Sequence, residues 1–180
     1  MNEIEVKIRV DDPARWQPAF EEHFELVAAR HFEDNFLLDW PDKRIGAGGC
    51  TLRVRILEGR GLLTFKGPVV PGLAVKSRPE SEVEVSDGAA LIEIFESLGL
   101  RSQFRYQKYR TVYRRGECLV VVDDTPIGMF FEIEGEVGEI RNLTALLGFS
   151  EEQWLRDSYR ELYQTEARRS GSPARDMISA

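Results

Sequence analysis

The chain opens on strict alternation. Glu3, Glu5, Lys7 and Arg9 interleave with Ile4, Val6, Ile8 and Val10. Successive side chains on a strand point to opposite faces, so this segment has one charged face and one aliphatic face. A single half-exposed antiparallel strand would look the same. What constrains the fold is that the pattern recurs along the chain.

In Leu52-Arg53-Val54-Arg55-Ile56 both arginines share a face, and Leu63-Thr64-Phe65-Lys66 sets a polar pair against an apolar pair. Lys76, Arg78, Glu80, Glu82 and Glu84 share a parity opposite Val75, Val83 and Val85. Lys108, Arg110 and Arg114 share another. Asp123 ends a valine-rich run, and Glu132 and Glu134 alternate with Phe131 and Ile133. Extended segments are expected at about 2–10, 26–39, 51–57, 62–66, 74–85, 104–115, 118–124 and 129–137. Gly59–Gly61 reads as a hairpin turn, and Pro41 to Gly49 as a loop.

Helices are expected at about 13–24, behind Asp12-Pro13, and from Ser86 to Gly99. Two more are expected at about 139–147 and from the Ser150/Gln153 capping box through Tyr163. Beyond about residue 168 a frayed tail is expected, leaving 1–168 as one domain. Strands outnumber helices and are mostly hairpin-linked. The predicted class is therefore α+β: an antiparallel sheet or barrel with helices packed outside.

If the sheet closes, its aliphatic sides lie outward beneath the helices and its charged sides line the lumen. About eight strands enclose room for one small ligand. Burying many charges is costly unless they pair or bind ions. Arginine and lysine suit phosphate oxygens, and grouped carboxylates suit Mg²⁺ or Mn²⁺. Bases and acids in one cavity point to a metal–polyphosphate complex.

Composition narrows the remaining classes. At 42% hydrophobic and 31% charged the chain suits a soluble domain, and a net charge of −7 argues against a general nucleic-acid surface. No apolar run reaches membrane-span length and no signal-peptide layout is present, so no membrane partner and a cytoplasmic location are expected. Cys50 and Cys118 lack metal spacing and are expected to be reduced structural thiols. His23 and His31 are expected in surface or helix-packing roles.

These residues, taken in order, resemble the CYTH, or triphosphate tunnel metalloenzyme, superfamily. The match runs from Glu3-x-Glu5-x-Lys7 through Leu52-Arg53-x-Arg55, Leu63-Thr64-Phe65-Lys66-Gly67, Arg78-x-Glu80-x-Glu82, Lys108-x-Arg110 and Asp123. It ends on Gly128-x-x-Phe131-Glu132-Ile133-Glu134 and Ser158-Tyr159, covering about residues 1–165. Gly67-Pro68 and the Gly128–Glu134 segment are most similar to the class IV adenylyl cyclase branch. One departure is visible: Asp34-Asn35-Phe36 lacks the tyrosine that members often carry after Asp-x.

The resemblance implies a closed eight-stranded antiparallel tunnel, divalent Mg or Mn (two ions), and a small-molecule triphosphate substrate, and it is compatible with a homodimer. By carry-over Glu3, Glu5 and Glu134, with Glu132, Asp123 and Glu82, would hold metal. Lys7, Arg53, Arg55, Lys66, Arg78, Lys108 and Arg110, with Lys76, would grip phosphates. Lys7, Glu5 and Arg55 are the expected catalytic groups. The branch implies conversion of ATP to cyclic AMP and pyrophosphate. Hydrolysis of inorganic triphosphate, thiamine triphosphate or a nucleotide stays open, as does non-catalytic nucleotide or polyphosphate binding.

Overall fold

The alternating segments do close on themselves. In a computed structural model, describing residues 2–171 and 175–179, the strands are β1 (Asn2–Val10), β2 (Glu25–Asp39), β3 (Thr51–Leu57), β4 (Arg60–Lys66), β5 (Lys76–Val85), β6 (Arg101–Arg115), β7 (Cys118–Thr125) and β8 (Gly128–Glu134). They form one closed antiparallel barrel in the order β1-β5-β4-β3-β2-β6-β7-β8. The helices are α1 (Gln17–His23), α2 (Arg44–Ala47), α3 (Gly88–Ser97), α4 (Val137–Leu146) and α5 (Tyr159–Ser170). No described helix is long and apolar enough to cross a membrane.

Closure depends on β1 serving two neighbours. Asn2–Glu5 pair with Pro79–Lys76 of β5, and Glu5–Val10 pair with Glu134–Met129 of β8. Where β5 has left, Leu155 takes its place: Lys7 N–H donates to the Leu155 carbonyl at 3.1 Å, and Leu155 N–H returns to the Lys7 carbonyl at 2.7 Å.

The outward face of β1 then supplies the main core. Val6, Ile8 and Val10 pack with Phe20 of α1, Phe131 and Ile133 of β8, and Ile140 and Leu143 of α4. On the other flank Leu91, Ile92 and Phe95 of α3 cover Leu38 and Val54. The approach of α3 to β4 requires glycine. A Cβ on Gly61 would lie 2.6 Å from Val85 and 2.8 Å from the Gly88 Cα.

Several local expectations are corrected. Residues 13–24 divide into a 3-10 turn, Pro13–Trp16, and α1. The 41–49 loop contains α2, because the Asp39 carboxylate accepts from the backbone N–H groups of Trp40, Ile45 and Gly46. Asp87 rather than Ser86 caps α3. The Ser150/Gln153 box closes only a 3-10 turn, Glu151–Gln153, since the chain must run extended to reach Lys7 at Leu155. The last helix opens instead on Ser158, whose hydroxyl and N–H engage Glu161.

Beyond residue 168, where fraying is expected, α5 continues to Ser170. Residues 172–174 and 180 of the expected tail lie outside the described residues. Met177 is fully buried and bonds the β6 backbone at Arg105 and Gln107.

Candidate functional site

Acids and bases line the bore; outward apolar residues pack beneath helices along β1, β3 and β8 and stay exposed at Phe65 of β4 and Val83 of β5. Barrel register puts Glu5 opposite Glu134 and Lys7 opposite Glu132 across β1–β8, and Glu3 opposite Arg78 and Glu5 opposite Lys76 across β1–β5. The bore opens into a cavity of about 840 Å³ lined by both sets of charges.

Its acidic pole is Glu3, Glu5 and Glu134, which bring one carboxylate oxygen each to within 4.8 Å of one another. Three carboxylates this close cannot all ionise freely. Burial, reinforced by Glu3 and Glu5, holds the Glu134 proton up to about 8. Burial also opposes ionisation of Glu3, but the Lys66 ammonium together with hydrogen bonds from Glu80, Lys66 and Glu134 outweighs it and brings Glu3 down to about 2. Burial and a hydrogen bond shared with Glu3 raise Glu80 to about 7.

The Glu3 Oε2 atom is buried without a hydrogen-bond partner. An unsatisfied carboxylate oxygen in a set of hard donors, with a proton ready to be displaced, suits a Mg²⁺- or Mn²⁺-like ion.

The basic pole is divided by how well each base is already paired. Arg53 reaches Glu82 at 3.4 Å and Thr64 at 3.1 Å, and the nearest carboxylate of Arg78 is Glu3 at 4.0 Å. Both arginines keep a buried Nε without a hydrogen-bond partner, as does the Asn35 amide nitrogen. Donors left unmade inside a cavity call for oxygen acceptors there. Lys76 bonds Glu5 at 2.7 Å, while Lys66 sits between Glu3 and Glu80.

Lys108 and Arg110 are more fully paired. Both hold Asp123 at 2.7 Å, and Arg110 also bonds Glu132, which in turn takes Lys7 at 2.6 Å. Asp123 is 0% exposed and accepts a further bond from the Tyr159 hydroxyl at 2.7 Å. Asp123, Glu132 and Glu82 therefore stand outside the three-carboxylate group and serve as counter-ions to bases. Glu82, with 40% of its side chain exposed, faces Arg53 and Thr64.

Four bore-facing groups escape the sequence reading. Glu33 is fully buried among Arg55 at 3.0 Å, Lys108 at 3.5 Å and Arg110 at 3.7 Å. Asn35 accepts from Arg55 Nε at 3.1 Å. Tyr106 meets Arg53 at 3.5 Å. Tyr159 enters from α5, with the Lys7 and Lys108 ammoniums 4.5 and 5.0 Å from its ring centre.

Parity along β2 would have exposed Glu33 and Asn35. His31 shares that parity and lies 3.6 Å from Glu33, so its place is beside the charged wall rather than at a helix. Asp34 and Phe36 point the other way, Asp34 to Arg105 at 2.6 Å and Phe36 into the outer cluster. The missing tyrosine at Phe36 thus removes no group from the bore. Cys50 and Cys118 are both free.

The closed antiparallel barrel sets the acid trio and the incompletely paired arginines in one bore. Residues 1–164 match the CYTH domain family, and the chain belongs to it. A Methanocaldococcus jannaschii protein, provisionally named an adenylate cyclase, is 25% identical over 90% of this chain and 98% of its own. The PH1819 protein of Pyrococcus horikoshii shares the fold with a TM-score of 0.77 at 24% identity, covering 91% of this chain and 99% of that one. HpAC1 of Hippeastrum, described as an adenylyl cyclase candidate with a dominant triphosphatase activity, has a TM-score of 0.62 at 20% identity, covering 95% and 97%.

Proposed function

We propose that the protein is a divalent-metal-dependent enzyme acting on a nucleoside triphosphate, converting ATP to cyclic AMP and pyrophosphate. The observation that carries this is the opposition of two incomplete poles in one bore. Glu3, Glu5 and Glu134 form a crowded carboxylate group that needs a cation, and Arg53 and Arg78 hold buried donors that need an anion. The cavity volume of about 840 Å³ is in the range of small-molecule sites, which leaves room for an organic group beside the phosphates.

Glu3, Glu5 and Glu134 would hold Mg²⁺ or Mn²⁺, which when bound supplies charge neutralisation and activation of the attacking oxygen. Phosphoryl chemistry otherwise asks mainly for positioning and electrostatics, and the chain's own residues provide both. Arg53, Arg78, Lys66 and Lys76 fix the phosphates. Arg55 and Lys7, themselves held by Glu33 and Glu132, place positive charge where the departing pyrophosphate accumulates negative charge. The 3′-oxygen bonds the α-phosphorus, the bond to the β-phosphate oxygen breaks, and the hydroxyl proton leaves to water.

Hydrolysis is the second reading, favoured by the same wall of charge, which would equally serve water attacking the terminal phosphorus. The triphosphatase activity in the description of HpAC1 keeps that outcome in view. Incubation with Mg²⁺ or Mn²⁺ and, separately, ATP, tripolyphosphate and thiamine triphosphate separates the readings by product. Cyclic AMP with pyrophosphate is expected. Orthophosphate would replace the cyclase with a hydrolase, and tight binding without turnover would leave only a sensor.

A further inference from the structure

The charged lining of the cavity gives way to neutral groups at one end. Lys7 and Lys108 mark the deep part, at 3% and 2% exposure. Gly46 of α2 and Gly49 just after it line the same cavity and are exposed, so the bore opens beside α2. Leu37, Ile45 and Thr51 line that mouth, and Leu37 stands opposite Arg53 in the β2–β3 ladder. A ligand whose phosphates engage Arg53 and Arg78 therefore meets neutral surface for an organic group at the mouth, and paired charges further in.

On the β6 side of this mouth the strand breaks its own alternation. Tyr106, Lys108 and Arg110 line the cavity at every second residue, yet Gln103 lines it too, three positions before Tyr106. The ladder with β2 accounts for this. Leu37 pairs with Phe104 and Leu38 with Ser102, which leaves Gln103 as an extra residue on β6. A β-bulge of this kind re-aims one side chain, and bulges are frequent beside active sites. Among the described residues the Gln103 amide has no hydrogen-bond partner. Gln164 of α5 is another amide in the lining, but of the two only Gln103 belongs to the barrel wall, between the partners of Leu37 and Leu38.

An amide held at the mouth presents a donor and an acceptor side by side. That pair matches the N6/N7 edge of adenine, an amino donor beside a ring-nitrogen acceptor, whereas the same edge of guanine offers two acceptors. We propose that Gln103 is a specificity-determining residue that hydrogen-bonds the adenine N6/N7 edge of a nucleoside triphosphate, with Leu37 and Ile45 flanking the ring. The inference rests on the nucleotide reading above and deepens it.

The test is titration calorimetry of the full chain with ATP, GTP and sodium tripolyphosphate, without divalent metal so that nothing turns over. Wild type should bind ATP over GTP by about tenfold or more. Gln103→Ala should bring the ATP-to-GTP affinity ratio close to one and leave tripolyphosphate affinity unchanged. Gln103→Met, which keeps the length of the side chain and removes the amide, should do the same.

A ratio that survives in either variant, a ratio lost only in Gln164→Ala, or an equal loss for all three ligands would overturn the role of Gln103 while leaving triphosphate binding intact. So would a wild type that does not separate ATP from GTP. Wild-type protein that binds none of the three would overturn both readings.

Discussion

Glu5 and Asp123 are both buried acids in the same bore, yet their surroundings assign them different work. Glu5 sits with Glu3 and Glu134, where like charges crowd and a cation would relieve them. Asp123 is already saturated by Lys108, Arg110 and Tyr159. Glu5→Gln should therefore fold normally and lose metal-dependent turnover by more than about 100-fold. Asp123→Asn should cost stability, by about 1–3 kcal/mol, because it removes the nearest counter-ion of Lys108 and Arg110 and leaves them the more distant Glu33. Its folded fraction should keep its metal dependence. Denaturant melts paired with metal titrations of each variant check this, and the reverse pattern would place the metal at Asp123.

The charged faces of β1, β3, β5, β6 and β8 were legible because alternation survives wherever one strand face meets ions and the other meets helices. β2 was not. Its bore-facing His31, Glu33 and Asn35 mix charged with neutral groups while Asp34 sits on the outward face, so the charge alternation that marks the other strands is broken there. Tyr159 was invisible for another reason: it reaches the bore from a helix, which strand parity cannot report.

Two capping boxes eight residues apart could each have opened α5. What decides between them is the tertiary pairing of Leu155 with Lys7, which no local signal encodes. Met177 likewise docks through backbone bonds to β6, in a stretch whose composition reads as a tail.

For the molecule as a whole, the ionic bore predicts how stability depends on pH. In the metal-free folded protein Glu134, at about 8, and Glu80, at about 7, keep protons that an unfolded chain releases above about pH 4.5. The folded state then binds more protons, so their stabilisation is present below that value and is lost as pH rises through 7 and 8. Glu3, at about 2, has the opposite sign, contributing above about pH 4.5 and losing that contribution as pH falls toward 2. Burial opposes ionisation of Glu33 and Glu132, but Lys108, Arg110 and Arg55 around Glu33 and Lys7, Lys108 and Arg110 around Glu132 together hold both low, with the same sign as Glu3.

Metal-free protein should therefore melt highest near about pH 5 and lower at pH 8. Stabilisation by Mg²⁺ should grow over the same interval, since the ion needs Glu134 deprotonated. Thermal melts with and without Mg²⁺ check both. A metal-free profile that climbs from pH 5 to 8 would contradict the crowding of Glu3, Glu5 and Glu134.

The central claim, that one bore unites a carboxylate-held metal with an arginine-held triphosphate, is tested most directly by anomalous scattering. Crystals would be grown with Mn²⁺ and a non-reactive ATP analogue. The account predicts manganese coordinated by oxygens of Glu3, Glu5 and Glu134, with the phosphates against Arg53 and Arg78. Manganese bound at Asp123, or phosphates seated outside the barrel, would contradict it.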